Sequence, residues 1–258
     1  MNRRRMFLLV SLACLGLIIA AGAAVARADD IPGVPIPPSP IQGYLDNSNG
    51  SGVNLNDVYS VSMVRGARLT CVLNGDSSSQ NDFILQLFGP GTMGVIGTAP
   101  LVTIDNQCVY PYPKTLSYTA SAAGLYYLNV LIGSYNIFTY TPEPYEVSGA
   151  YSVAWTCQSP TVTKMATHSH TVRSGSRVTV KGSLKYAIGG NAIAGAKVRL
   201  QGSANGKNWA KGTVGTTTSS GAFAFKVKVT KARYFHVVFS GTRALIASKS
   251  IVIRLKVK

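Results

Sequence analysis

The residues of this 258-residue chain that could do acid–base, nucleophilic or metal chemistry are few, and they are kept apart. All three histidines, His168, His170 and His236, fall after residue 159, where there is no Asp or Glu. A hydrolytic triad needs a histidine between an acid and a nucleophile, so one could form here only between the two halves of the chain. His168 and His170 are spaced to share one strand face, and with a third ligand such a pair holds a metal. No carboxylate or cysteine lies in that half to complete the set, so they read as a surface pair. Asp46, Asp57, Asp82 and Asp105 lack the spacing of a calcium loop and read as solvated turn acids. Gly89-Pro90-Gly91-Thr92-Met93-Gly94 fits the GxGxxG pattern, but Gly97 and Pro100 break the helix that a dinucleotide site requires at that point. GxSxG, HExxH and Walker patterns are absent from the sequence. The chain is therefore expected to have no catalytic residues, no metal and no cofactor, and not to be an enzyme.

Binding chemistry is better supplied. Residues 160–258 hold eighteen Lys or Arg and no acid, whereas residues 29–159 hold nine acids and three bases. A domain without carboxylates has no internal salt bridges, and its cations repel one another until solvent and counterions screen them. Such a surface attracts an anionic cell-surface polymer or an acidic protein face. Several stretches alternate inward apolar and outward basic side chains: Val198 and Leu200 with Lys197 and Arg199, Phe223, Phe225, Val227 and Val229 with Lys226 and Lys228, and Ile251, Ile253, Leu255 and Val257 with Arg254, Lys256 and Lys258. Strand geometry sends alternate residues to opposite faces, so these seven bases are the candidate polyanion contacts. They lack interleaved aromatics for base stacking, so no specific nucleic-acid binding is expected. Aromatic residues crowd the other half, and Tyr135, Phe138, Tyr140 and Tyr145 are the candidate glycan contacts.

The elements that position these groups read as strands. Alternating or apolar runs at 57–63, 67–73, 82–88, 116–120, 125–132 and 150–157 are separated by Gly, Asn, Asp and Pro turns. Runs at 177–181, 196–201, 222–229, 234–239 and 251–257 continue the pattern. Short alternating strands with turns between them indicate all-β sandwiches or barrels. The charge break near Ser159-Pro160 divides them into two domains, residues 42–158 and 159–258.

Upstream, Arg3, Arg4 and Arg5 precede an apolar run over residues 6–24, and Ala26-Arg27-Ala28 supplies small residues for cleavage before Asp29. That is the pattern of a secretory signal peptide over residues 1–28, and a membrane contact would come only through this segment left uncleaved. Cys14 lacks the upstream Leu of a lipidation motif. The expected location is extracellular or the cell envelope. Residues 29–41, with five prolines, read as an extended linker. Export permits a disulfide, but Cys71, Cys108 and Cys157 are odd in number and their pairing is open.

Two stretches carry resemblances. Asp57-Val58-Tyr59-Ser60-Val61, Gly66-Ala67-Arg68-Leu69-Thr70, Asp82-Phe83-Ile84-Leu85-Gln86-Leu87-Phe88, Leu116-Ser117-Tyr118-Thr119-Ala120 and Ala123-Gly124-Leu125-Tyr126-Tyr127-Leu128, in that order, resemble the bacterial pre-peptidase C-terminal domain over residues 42–157. The resemblance implies a jelly-roll-like β-sandwich without catalytic residues, often appended to secreted proteases. The segment 133–149 and the cysteines depart from it. Gly175, Val178-Thr179-Val180, Gly182, Leu184, Ala194-Gly195-Ala196-Lys197-Val198, Gly206-Lys207-Asn208-Trp209, Gly221, Phe223, Phe225, Tyr234 and Phe239-Ser240-Gly241 resemble a bacterial immunoglobulin-like repeat. That implies a stalk or adhesion module. The expected function is a secreted or cell-surface, non-enzymatic binding or structural protein. The alternative is an accessory or glycan-binding module of an extracellular hydrolase such as a peptidase.

Overall fold

The computed structural model describes residues 30–46, 54–75, 81–104, 113–134 and 148–258. Every regular element among them is a strand. The N-terminal unit comprises β1 (Val34–Pro35), β2 (Ile41–Asp46), β3 (Asn56–Met63), β4 (Arg68–Gly75), β5 (Asn81–Phe88), β6 (Val102–Ile104), β7 (Lys114–Thr119), β8 (Gly124–Ser134) and β9 (Ser148–Gln158). They build two sheets, β1-β3-β8-β5-β6 and β2-β9-β4-β7. The inward parity of each strand is apolar: Tyr59, Val61 and Met63 face Leu69, Cys71 and Leu73 across one core, with Phe83, Leu85, Leu128 and Val130. Burying a side chain of this size stabilises by about 1.5–3 kcal/mol, so one alternating stripe per strand suffices to close the two layers.

The C-terminal unit comprises β10 (Thr161–Met165), β11 (His170–Val172), β12 (Ser176–Tyr186), β13 (Lys197–Ser203), β14 (Thr213–Thr216), β15 (Ala222–Val229), β16 (Arg233–Phe239), β17 (Ser248–Lys249) and β18 (Ile253–Val257). One sheet runs β10-β12-β15, the other β11-β18-β16-β13-β14, with β17 on β16. Val180, Leu184, Phe223, Phe225, Phe235, Val237, Ile253 and Leu255 form its separate core. The chain is thus two β-sandwiches, joined through Ser159 and Pro160.

Two expectations need correction. The described part of the proline-rich segment is not a free linker. Val34 and Pro35 add to the edge of β3 in parallel register, and the Ile36 amide donates to the Ser60 carbonyl. Ile31 covers Val58, Phe88 and Tyr127 on the outer side of that sheet, while the Pro37 carbonyl accepts from the Trp155 indole at 2.8 Å. An edge strand tolerates prolines because its outer side needs no N–H. The last strand is also shorter than its alternation suggested. Lys249 pairs with Val238 and Ile253 with Phe235, so four steps on one strand match three on the other. That is one extra residue, a β-bulge. It turns Ile251 and Val252 outward, at 65% and 47% exposure.

Candidate polyanion-binding faces

The three-stranded sheet of the C-terminal sandwich turns Phe223, Phe225 and Val180 inward and a row of cations outward. Lys226 and Lys228 of β15 are exposed, and the cross-strand register sets Lys228 against Arg177 and Lys226 against Thr179 of β12. Lys181 lies opposite Ala224 on the same face. On the other flank of β12, Lys164 pairs with Ser183, and Lys185 with Val162. Five of these six bases are exposed and Lys185 is half-buried. Gly182 permits the arrangement: a Cβ there would collide with the Phe223 ring and the Lys164 carbonyl.

The other face is built differently. Lys197 and Arg199 of β13 and Arg254 and Lys256 of β18 point away from the core on the larger sheet, and Lys258 follows β18 at the chain end. The seven expected contacts therefore fall on two opposite faces rather than one. On this second face the two arginines have partners. The Arg254 guanidinium stands 5.3 Å from the Tyr234 ring centroid, and Arg199 Nη1 donates to the Lys211 carbonyl. Trp209 stacks on His236 with centroids 3.7 Å apart. His236 Nε2 donates to Gln201 Oε1 at 2.7 Å, which leaves Nδ1 as a buried lone pair without a partner. Burial, and then the Lys249 charge, hold this imidazole below its usual pKa, so the ring is neutral under its Trp lid.

The N-terminal sandwich holds a buried polar chain between its two sheets. Tyr151 donates to Asp57 Oδ2 at 2.6 Å, so the Tyr59 hydroxyl, 2.7 Å from that of Tyr151, donates to it. Asn54 Nδ2 donates to Asp57 Oδ1. Burial pushes the Tyr59 hydroxyl up to about 12. Burial, then the Asp57 charge, push Tyr151 up further. Phenols held protonated in this way tie the two sheets together and stay un-ionised at neutral pH. The Lys114 ammonium is also buried and donates to the Phe83 carbonyl at 2.8 Å.

No protein-family model matches the chain, and no curated protein matches it. Among solved structures, the chain is similar to the pre-peptidase C-terminal domain of a collagenase from Bacillus anthracis. Identity is 15% over 48% of this chain and 90% of that one, with a TM-score of 0.31. It is also similar to the D0-D1 domain of intimin, at 10% identity over 84% of this chain and 100% of that one, with a TM-score of 0.27. Fibronectin(III)-like modules of CbhA from Clostridium thermocellum match at 11% identity over 83% and 93% of the two chains, with a TM-score of 0.30. The two-sandwich fold stands on the sheet orders and separate cores described above.

The remaining sequence candidates separate. Tyr135, Phe138, Tyr140, Tyr145, Cys108 and residues 1–28 lie outside the described residues. His168 and His170 do not share a strand: His168 precedes β11, and its carbonyl lies 2.8 Å from His170 Nδ1. The described residues contain no cluster of three metal-ligating side chains. Cys71 and Cys157 lie on neighbouring strands with Cys71 opposite Trp155 and Leu69 opposite Cys157, a diagonal offset, and both are free thiols. Burial, then its neighbour Cys157, push the Cys71 thiol up to about 12, and burial raises Cys157 as well. Neither is an activated nucleophile. Gly91 turns with positive φ as the GxGxxG stretch leaves β5, and no helix follows among the described residues. Lys164, Arg177, Lys181 and Lys185 escaped the sequence reading. For Arg177, Lys181 and Lys185 the signal was an i, i+4 spacing of bases with Thr179 and Ser183 between them, running past the strand expected at 177–181.

Proposed function

We propose that this chain is an exported binding protein without catalytic activity, whose C-terminal sandwich holds it on an anionic cell-surface polymer by charge. One observation carries the reading: eighteen bases and no acid in residues 160–258, set around a complete apolar core. The fold therefore does not need those bases inside, and their positive field is free for an external polyanion. The N-terminal sandwich, with its acids and its tyrosine-rich segment, is the part left to meet a partner or glycan.

The test is retention of the chain on an immobilised anionic polymer, such as heparin or purified cell wall, across a salt series. Counterion release makes the logarithm of the binding constant fall linearly with the logarithm of salt concentration. Steep loss between low and moderate salt is the expected result. Binding that ignores salt, or no binding at low salt, overturns the reading.

A further inference from the structure

We propose that the outward face of the three-stranded sheet is the polymer site, and that its ligand is a flexible single-chain polymer with a phosphodiester in each repeat. The inference rests on the polyanion reading above and narrows it to one face and one chemistry.

Lys164, Arg177, Lys181, Lys185, Lys226 and Lys228 share this face. Residues two apart on a strand are separated by about 6.8 Å, and neighbouring strands by about 4.8 Å. The face is thus a flat grid of positive charge along which a thread of anions can run. Arg177 and Lys228 are directly opposite one another, a placement that destabilises a sheet when the charges are alike. The domain has no acid to relieve it. A bound anionic thread supplies the missing counter-charge, so binding and fold stability rise together.

The opposite face lacks these properties. Arg254 is engaged with Tyr234 and Arg199 with a backbone carbonyl. The stacked Trp209 stands over His236 and breaks the flat surface.

The ligand chemistry follows from the side chains. Five of the six bases are lysines, compact point charges that bind phosphate without the bidentate geometry an arginine fork imposes on carboxylate or phosphate, so they suit a flexible thread whose phosphates have no fixed orientation. The other outward residues, Val162, Thr179, Ser183, Ala222 and Ala224, are small or aliphatic. None can stack on a base, and single-stranded nucleic acid is held by stacking as well as charge.

The experiment measures binding of the full chain to synthetic poly(glycerol phosphate) across a salt series. Two variants lose equal charge: Arg177→Gln/Lys181→Gln/Lys226→Gln/Lys228→Gln on the small sheet, and Lys197→Gln/Arg199→Gln/Arg254→Gln/Lys256→Gln on the large one. The small-sheet variant is expected to bind about tenfold or more weakly, with a salt slope shallower by roughly 0.7 per contact removed. The large-sheet variant should stay within about threefold of the parent. The polymer should raise the melting temperature of the parent and not of the small-sheet variant. Equal losses in both variants, or none in either, overturn the assignment of the face while leaving charge-driven binding intact. No binding by the parent at low salt overturns both readings. If a single-stranded oligonucleotide of equal charge binds as tightly, the assigned ligand chemistry is wrong. Should the fourfold variant fail to fold, Lys226→Gln/Lys228→Gln tests the same face with a smaller expected loss.

Discussion

At the scale of single residues, the firmest consequence concerns Tyr151. Its hydroxyl is both donor to Asp57 and acceptor from Tyr59, so Tyr151→Phe strands two buried polar groups at once. Leaving a buried group unsatisfied costs about 1–3 kcal/mol, and the loss should appear as a lower urea midpoint for the N-terminal sandwich. The same pair makes that sandwich alkali-sensitive. The Tyr59 phenol is raised from 10.0 to about 12 in the fold. Its contribution is therefore complete below pH 10 and is lost as pH climbs through 12. Tyr59→Phe should flatten the fall in stability over that window, and an unchanged slope would rule out the buried phenol as its source. His236 works in the opposite sense. Its pKa is lowered in the fold, so the unfolded chain binds the proton more readily. Stability of the C-terminal sandwich then declines as pH drops below 6.5, the ordinary value. Urea unfolding followed by Trp209 fluorescence should show this decline, and His236→Gln should remove it.

Among elements, both sandwiches use one packing device: an inward glycine directly opposite an aromatic ring. Gly43 pairs with Tyr151, Gly182 with Phe223 and Gly202 with Phe235. A Cβ at Gly43 or Gly182 would collide with the facing ring. Alanine ordinarily improves on glycine within a strand, yet Gly182→Ala should destabilise by about 1–3 kcal/mol, the usual cost of overpacking. A neutral or stabilising result in chemical denaturation would show that Phe223 can swing aside freely. These glycines also mark the limit of what was legible in the sequence. Alternation shows that Phe223, Phe225 and Val227 share a side, and β15 begins and ends where its pattern does. Alternation cannot show which strand lies next door. Lys226 thus read like Lys197, although β15 joins β12 and β13 joins β16. The bulge before Ile253 was hidden for a similar reason, because an extra residue is visible only against the partner's count. β1 was hidden by its prolines, whose missing N–H groups matter little at a sheet edge.

For the whole molecule, the uneven charge makes two properties of the C-terminal sandwich respond oppositely to salt. Its eighteen cations face one another without a carboxylate in residues 160–258. Their repulsion acts across distances comparable to the screening length, about 10 Å at 0.1 M salt. Adding salt therefore lessens self-repulsion in the folded domain more than in the expanded chain, where the charges are farther apart. The same salt competes with any polyanion for those charges. Raising sodium chloride from low to moderate concentration should increase the melting temperature of this sandwich while weakening its hold on an anionic polymer. The N-terminal sandwich has a separate core and few bases, so its transition should move much less. Trp209 lies in the C-terminal unit and Trp155 in the N-terminal one, so Trp155→Phe and Trp209→Phe variants let fluorescence follow each transition separately. If screening is the cause, the small-sheet glutamine variant should start with a higher melting temperature at low salt and gain less from added salt. A C-terminal transition that is indifferent to salt would mean that the cations are too well hydrated to repel. Cations so hydrated would not await an external counter-charge either.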